Sequence, residues 1–152
     1  MWLWKAAKSI KLFQLNRKLM KNVLRVLFIA GAGVVTLSAE SQEDELSKSM
    51  ARGKVVYEEL CVTCHLADGK GIPSVFPPLA GADYLMKNQK ESIRAIKFGQ
   101  QGEITVNGTT YNNVMAPQGL SDAEIADVMN YILNSWGNKG QMVTVEEVGK
   151  VK

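Results

Sequence analysis

Five consecutive residues constrain this chain more than any other feature, because they hold both of its cysteines and its only histidine. The segment reads Cys61-Val62-Thr63-Cys64-His65. Two thiols three positions apart, followed at once by an imidazole, form the pattern that attaches a c-type haem. Each sulfur takes one vinyl group of the porphyrin and the histidine takes the iron. The motif therefore predicts one covalently attached haem c, with Cys61 and Cys64 as attachment sites and His65 as an iron ligand.

Three other kinds of site use cysteines at this spacing. A structural zinc site needs four Cys or His ligands, and this chain supplies three. A thioredoxin-like dithiol needs a βαβ context, whereas a loop rich in Gly and Pro follows this motif. A disulfide between Cys61 and Cys64 would leave His65 without a role. Covalent haem is favoured, and dithiol chemistry is the main alternative.

The distribution of charge separates the amino-terminal segment from the rest of the chain. The formal net charge is +3, but residues 1–39 carry seven basic side chains and no acidic one. Residues 40–152 hold 11 basic and 15 acidic side chains and are therefore net negative. Nucleic-acid binding through general basicity consequently has no support.

Residues 1–39 have the features of an export signal. Lys21 and Arg25 precede an apolar run that ends in a small residue suited to cleavage, Ala39. The uncharged part of this run is shorter than the roughly 20 residues that span a bilayer as a helix. We predict a signal peptide over 1–39 and an exported protein, in the periplasm or on the outer face of the cytoplasmic membrane. An uncleaved anchor is the alternative, and a translation start at Met20 would give a more compact signal.

The remainder divides into a lead-in, a domain and a tail. Residues 40–47 are polar and acidic, with little apolar surface to pack, and are predicted to be a flexible linker. Residues 48–138 are predicted to be one small domain, in which a large apolar cofactor would add to a limited core. Residues 139–152 are predicted to be a carboxy-terminal tail.

Three helices are predicted within the domain. The first covers Ser49 to Leu60 and ends at the haem motif. The second covers Glu91 to Phe98 and stops at a glycine. The third begins at Ser121, which forms a capping box with Glu124, and continues to Trp136.

Residues 104–111 have the pattern of a β-hairpin. Two alternating segments flank Asn107-Gly108, the strongest short-range signal for such a turn. The fold class is therefore predicted as all-α, with three to five helices around one haem and a short hairpin.

A methionine is the leading candidate for the sixth iron ligand, because no second histidine exists. The methionines after the initiator are Met20, Met50, Met86, Met115, Met129 and Met142. Met115 alone lies in an extended stretch, which Pro117 keeps from becoming helical. The others fall in the signal, on the helix of the cysteines, in helical segments or in the tail. Met115 is therefore predicted to bind iron, and a methionine filling a gap in the loop is the alternative.

Residues 48–138 resemble a class I cytochrome c domain of the bacterial monohaem kind. In that family a glycine and an aromatic residue before the first haem cysteine pack against the last helix. Gly53 and Tyr57 match these positions and would face Val128 and Tyr131. Tyr131, like Trp136, is expected to be a core aromatic residue.

The resemblance also implies a role for Pro77. The family has a proline twelve residues after the haem histidine whose carbonyl takes the imidazole proton, and Pro77-Pro78-Leu79-Ala80-Gly81 fits that setting. Asp68-Gly69-Lys70-Gly71 resembles the family's glycine turn. The stretch from Gly102 to Met115 is similar to cytochrome domains that serve nitrite reductases, haem-copper oxidases and periplasmic dehydrogenases. Where that family often has proline directly after the ligand methionine, this chain has Ala116.

Taken together, the residues and the resemblance predict a soluble electron carrier and not an enzyme. Its donor would be a quinol-oxidising complex or a dehydrogenase, and its acceptor a terminal oxidase or reductase, with no nucleic acid or small-molecule substrate bound. Two alternatives remain open. One is a membrane-anchored cytochrome subunit of such a complex, and the other is a haem enzyme or gas sensor with an open iron site.

Overall fold

The architecture is mainly helical with one two-stranded sheet, as predicted from the sequence. The structure is a computed structural model that describes residues 42–152. The predicted signal peptide over 1–39 and the alternative start at Met20 lie outside these residues. No helix within the described range is long and apolar enough to cross a bilayer.

The described residues form six helices and two short strands. The described part of the first helix, α1, occupies 42–60. The other helices are α2 (Val62–His65), α3 (Asp83–Lys87), α4 (Gln89–Phe98), α5 (Asp122–Leu133) and α6 (Val145–Gly149), and the strands are β1 (Ile104–Val106) and β2 (Thr109–Tyr111).

Helix α1 packs closely on α5, as the resemblance implied. A Cβ atom at Gly53 would overlap the carbonyl group of Asp127 and lie 2.8 Å from the backbone nitrogen of Val128. Only glycine therefore permits this approach. One turn later the rings of Tyr57 and Tyr131 meet with their centroids 5.4 Å apart. These contacts confirm the predicted pairing of the two helices.

Helix α5 forms the centre of the core and begins as predicted. The hydroxyl of Ser121 accepts from the amide of Glu124 at 3.4 Å, and the Glu124 carboxylate accepts from the amide of Ser121 at 2.8 Å. Ile125, Met129 and Leu133 are completely buried along its length. The helix ends at Leu133, three residues before the predicted end at Trp136, which has a positive φ of 51°.

The predicted hairpin is confirmed in its turn and in its register. Ile104 pairs with Tyr111 and Val106 pairs with Thr109 across an antiparallel ladder. Asn107 and Gly108 both have positive φ, 50° and 77°, which fits a two-residue turn between strands of this twist.

The two ends of the predicted domain need correction. Residues 42–47, predicted as a flexible linker, are helical and continue α1. Their side chains are mostly exposed, and the helical spacing lets Asp44 pair with Lys48 at 2.7 Å. Such pairs support a helix extension that buries little apolar surface, because the first turn has already been formed by its packed part.

The predicted tail, residues 139–152, is part of the folded unit. Val143, Val148 and Val151 are buried, and α6 packs on α5. A second capping box, between Thr144 and Glu147, begins α6. The domain boundary at residue 138 was therefore wrong, because a segment with only a few apolar residues still buries them against α5.

Candidate functional site

The motif at residues 61–65 forms a tight helical turn directly after α1. The amide of His65 donates to the carbonyl of Cys61 at 2.9 Å, and the amide of Cys64 donates to the same oxygen at 3.2 Å. No disulfide joins Cys61 and Cys64, and both are partly buried. Burial raises the pKa of the Cys61 thiol to about 11. Because reactive dithiols have lowered thiol pKa values, this environment does not support thioredoxin-like chemistry.

A cavity of about 160 Å³ lies beside the motif. Cys61, Cys64, His65 and Met115 all line it, and the rest of its wall is mainly apolar. Among the other lining residues are Val75, Phe76, Pro77, Leu79, Leu85, Ile96, Ile104, Val106, Tyr111, Val114, Val128 and Ile132. This wall fits a flat apolar macrocycle, and the two thiols, imidazole and thioether are the groups that a c-type haem uses. The residues present therefore fit haem c.

His65 is held in one orientation by the segment that follows it. Its Nδ1 atom lies 3.0 Å from the carbonyl oxygen of Pro77, the contact that the resemblance implied. Burial lowers the pKa of the imidazole, and the Pro77 carbonyl opposes that shift by accepting a hydrogen bond. A neutral ring that donates from Nδ1 has its Nε2 lone pair free for a metal. This orientation suits His65 to the iron-binding role that the sequence predicts.

Aromatic side chains hold the first part of the His-side loop, which we define as residues 66–82. The Tyr57 hydroxyl donates to the carbonyl of Leu66 at 2.7 Å, and the Trp136 indole donates to that of Ala67 at 3.1 Å. Tyr57, Tyr131 and Trp136 form a cluster with centroid distances of 5.1–5.5 Å. Tyr131 and Trp136 pack against the buried core, as predicted.

The glycine turn after the motif serves packing within the protein. A Cβ atom at Gly69 would lie 2.6 Å from the Trp136 ring. One at Gly71 would lie 2.6 Å from the carbonyl oxygen of Pro77. Both glycines have positive φ. The turn therefore lets the backbone of the His-side loop fold back against itself and against Trp136.

Two asparagines brace the second part of the His-side loop, and sequence reasoning missed both roles. Asn138 bonds Leu79 and Gly81 through its side chain. Asn107, identified only as a turn residue, donates to the carbonyl of Gly81 at 3.1 Å. No local sequence pattern predicts these contacts, because the bonded residues lie 26 or more positions apart in the chain.

Met115 lies in what we define as the Met-side segment, residues 112–120. Its amide and carbonyl both pair with Gln100, each at 2.8 Å, directly after α4. The amide of Gln118 also donates to the carbonyl of Ile96 at 3.2 Å. These backbone bonds place Met115 in the wall of the cavity that also contains His65. The other methionines of the described residues, Met50, Met86, Met129 and Met142, do not line that wall.

One hydrogen bond joins the Met-side segment to the His-side loop at the rim of the cavity. The Asn113 side chain donates to the carbonyl of Val75 at 2.9 Å. Beside it, Val114 is 74% exposed although it lines the cavity. The cavity therefore opens to solvent at an apolar rim formed by both segments.

Comparisons with known proteins agree with this site. The family model described as cytochrome c matches residues 50–136. Cytochrome c-552 of Thermus thermophilus is 39% identical over 117 residues, which are 70% of this chain and 78% of that protein. The cytochrome c subunit of the quinone alcohol dehydrogenase of Gluconobacter oxydans is 32% identical over 105 residues, 66% of this chain and 22% of that protein. With a family match over more than half its length, the chain belongs to the cytochrome c family as a class I, electron-transferring monohaem cytochrome with covalently bound haem c.

Proposed function

We propose that this protein is an exported electron carrier in which Cys61 and Cys64 would hold haem and His65 and Met115 would bind its iron. The observation that supports this assignment is the cavity, whose wall contains all four side chains. An iron held on both sides transfers electrons, whereas an open side would bind or activate a small molecule.

The residues of the cavity have separate roles in this proposal. Haem supplies a one-electron couple between ferric and ferrous iron. Met115, as a soft thioether ligand, favours the ferrous state and raises the potential relative to two nitrogen ligands. The Pro77 carbonyl accepts a hydrogen bond from Nδ1 of His65 and so increases the basicity of the imidazole, which would favour the ferric state. The apolar wall keeps water from the metal and stabilises the less charged form.

The apolar rim is the proposed docking site for redox proteins. Val75 and Val114 are exposed there, 38% and 74% respectively, on the two segments that the Asn113 hydrogen bond joins. Electron-transfer encounters are brief and bury little area, so a small apolar contact is sufficient. Residues 40–152 are net acidic, so charge complementarity with the partner would contribute to docking. It would set the encounter rate more than the affinity. The proposed donor is a dehydrogenase or quinol-oxidising complex, and the acceptor is a terminal oxidase or reductase of a respiratory chain.

We propose that the carrier acts as a separate protein in the periplasm, after loss of residues 1–39. The similarity to cytochrome c-552 extends over most of that protein and supports a free-standing carrier. The similarity to cytochrome c subunits of alcohol, fructose and gluconate dehydrogenases supports a second candidate, a subunit of such a complex.

The visible spectrum of the purified holoprotein tests the ligand set. Iron–sulfur ligation by methionine gives a weak far-red band in the oxidised protein, and we expect that band in the wild type. Met115→Ala should abolish it and let the reduced protein bind carbon monoxide. Met142→Leu is the matched control, since Met142 lies in the carboxy-terminal segment away from the cavity, and should leave both properties unchanged. A wild-type protein that lacks the band and binds carbon monoxide would favour the haem enzyme or gas sensor.

Cell fractionation tests the location and the form of the protein. We expect a soluble periplasmic protein whose first residue is Glu40 or a near neighbour. Recovery with the membrane, with residues 1–39 retained or with co-purifying dehydrogenase subunits, would favour the second candidate.

A further inference from the structure

The segment that carries Pro77 has no regular structure, so a few hydrogen bonds determine its position. Between Pro77 and the start of α3 at Asp83 the chain is neither helix nor strand. The amides of Leu79 and Ala80 both donate to the carbonyl of Gly69, at 2.7 and 2.9 Å. Further bonds come from side chains that lie far away in the sequence.

Asn138 makes the most complete of these contacts. Its side-chain oxygen accepts from the amide of Gly81 at 2.9 Å. Its side-chain nitrogen donates to the carbonyls of Leu79 at 2.9 Å and Ile132 at 2.8 Å. The residue is only 8% exposed. Two carbonyls and one amide N–H surround it, so an amide side chain fits, and a carboxylate of the same shape would direct an oxygen at two carbonyl oxygens.

The backbone from Pro77 to Leu79 is restricted, so the position of Leu79 affects that of the Pro77 carbonyl beside His65. Both Pro77 and Pro78 have their φ angles fixed by the ring. A residue that precedes a proline is also restricted to extended ψ angles, which limits Pro77. A displacement of Leu79 therefore moves the Pro77 carbonyl, because little torsional freedom exists between them to absorb it.

We infer that Asn138 is a positioning residue for electron transfer. By fixing Leu79 and Gly81 against the end of α5, it holds the Pro77 carbonyl 3.0 Å from Nδ1 of His65. It thereby sets the basicity of the imidazole and the ratio of ferric to ferrous iron at a given potential. The inference rests on the proposed ligation of iron by His65.

Asn138→Asp tests this role, with Asn134→Asp as the matched control. Asn134 is partly buried and lies four residues earlier. It bonds the carbonyl of Asn130 at 3.1 Å and the amide of Gly140 at 3.2 Å, neither of which belongs to the His-side loop. The same chemical change is thus made at the same end of α5, with and without a link to Pro77.

Two properties of the holoprotein are measured at neutral pH. The first is the midpoint potential, and the second is the rate at which the His65 ring N–H exchanges with solvent by NMR. In Asn138→Asp we expect the ferrous-to-ferric ratio at fixed potential to be about threefold higher than in Asn134→Asp, which carries the same added negative charge; the difference is ~28 mV at 59 mV per tenfold for one electron. Exchange of the ring N–H should accelerate about tenfold, on the scale of one weakened hydrogen bond. Asn134→Asp should lower the unfolding midpoint and change the potential only through its added charge, while exchange of the ring N–H stays at the wild-type rate.

Equal potentials and equal rates of ring N–H exchange in Asn138→Asp and Asn134→Asp would overturn the inference. If Asn138→Asp yields no holoprotein, Asn107→Gly replaces it, because Asn107 already has a positive φ that glycine accepts and its side chain bonds Gly81 from the opposite side. A smaller shift in the same direction is then expected, and wild-type behaviour overturns the inference. A wild-type protein without an iron-bound His65 signal would instead contradict the proposed ligation.

Discussion

The two segments that face each other across the cavity are held in different ways. Side chains from α1, from the hairpin turn and from the end of α5 all donate to the His-side loop. The Met-side segment depends mainly on backbone bonds to Gln100 and Ile96, with one exposed side-chain bond from Asn113. The histidine side is thus determined by the core, and the methionine side by a few bonds near solvent. Met115, the proposed sixth ligand, should therefore be released more easily than His65, the proposed fifth.

The largest expected effect comes from adding one methyl group to each side. At Gly71 a Cβ atom would meet the carbonyls of Phe76 and Pro77, and at Gly99 it would lie 2.8 Å from that of Met115. Gly71 has a φ of 63°, and a positive φ costs an L-residue about 1–2 kcal/mol. Gly99, with φ 87° and ψ 164°, lies in a region essentially restricted to glycine, which costs about 1–3 kcal/mol. Overpacking adds about 1–3 kcal/mol where the neighbours cannot move. Gly71→Ala and Gly99→Ala should therefore each lose about 2–5 kcal/mol of unfolding free energy, measured by denaturant titration.

Gly119→Ala is the matched control for Gly71→Ala. Gly119 has φ of +69°, and a methyl group added there would meet no atom of residues 42–152 within 4 Å, so this variant reports the backbone cost alone. A Gly71→Ala protein no less stable than Gly119→Ala would contradict the tight packing of the His-side loop.

The next effect separates the two segments in the unmodified protein. Because a few exposed hydrogen bonds hold the Met-side segment, it should open with a free energy at least ~1 kcal/mol below that of global unfolding. The far-red band should disappear at lower denaturant concentration than the change in circular dichroism that reports the helices. Coincident transitions would show that both sides unfold as one unit.

A smaller effect is expected from Asn113→Ala, which removes the single bond across the rim. The loss should cost about 0.5–1 kcal/mol and should increase the fraction of reduced protein that binds carbon monoxide, because the Met-side segment opens more often. The exposed neighbour Asn112 provides the control as Asn112→Ala. Equal carbon monoxide binding by the two variants would show that the Asn113 bond does not restrain Met115.

The smallest effect is a pH dependence confined to the histidine side. The amide of Asn107 donates to the Asp83 carboxylate at 2.7 Å, and this bond is the main reason that the pKa of Asp83 is lowered. A lowered carboxyl pKa contributes stability above the unfolded pKa, at about pH 4, and that stability is lost as the pH falls through the folded value. The gap in unfolding midpoint between wild type and Asp83→Asn should therefore narrow below pH 4. A gap that stays constant to pH 2 would exclude this role.

Local patterns in the sequence predicted much of the fold. The Asn107-Gly108 pair predicted the hairpin correctly, because a two-residue turn depends only on residues adjacent in the sequence. The Ser121 capping box located the start of α5 for the same reason. The Thr144–Glu147 box has the same spacing and could have revealed α6, where a tail is predicted instead. The short apolar set of this segment gives little sign that Val143, Val148 and Val151 find a partner.

The sequence predicted which side chains of the candidate site would bind haem and iron. It did not predict the hydrogen bonds that hold the surrounding loop. The chain has so few cysteines, histidines and methionines that only a few of them could attach haem or bind its iron. Asn107 and Asn138 bond backbone carbonyls of a segment without regular structure. Which carbonyls lie near these side chains is decided only by the folded chain. Asparagine side chains satisfy such groups in many settings, so their sequence positions carry no distinguishing signal.

The contact between α1 and α5 also determines the order in which the molecule can be assembled. Ser49 and Arg52 bond Asp127, which lies 78 and 75 residues later, and Asn130 donates to Ser49 across 81 residues. During synthesis, α1 therefore lacks its partner helix α5 until nearly the whole domain has emerged. Contacts of such long separation form late, since loop closure must precede them. The two thiols at the end of α1 consequently remain on an open chain through most of that interval, when a bulky ring can reach them before the core closes.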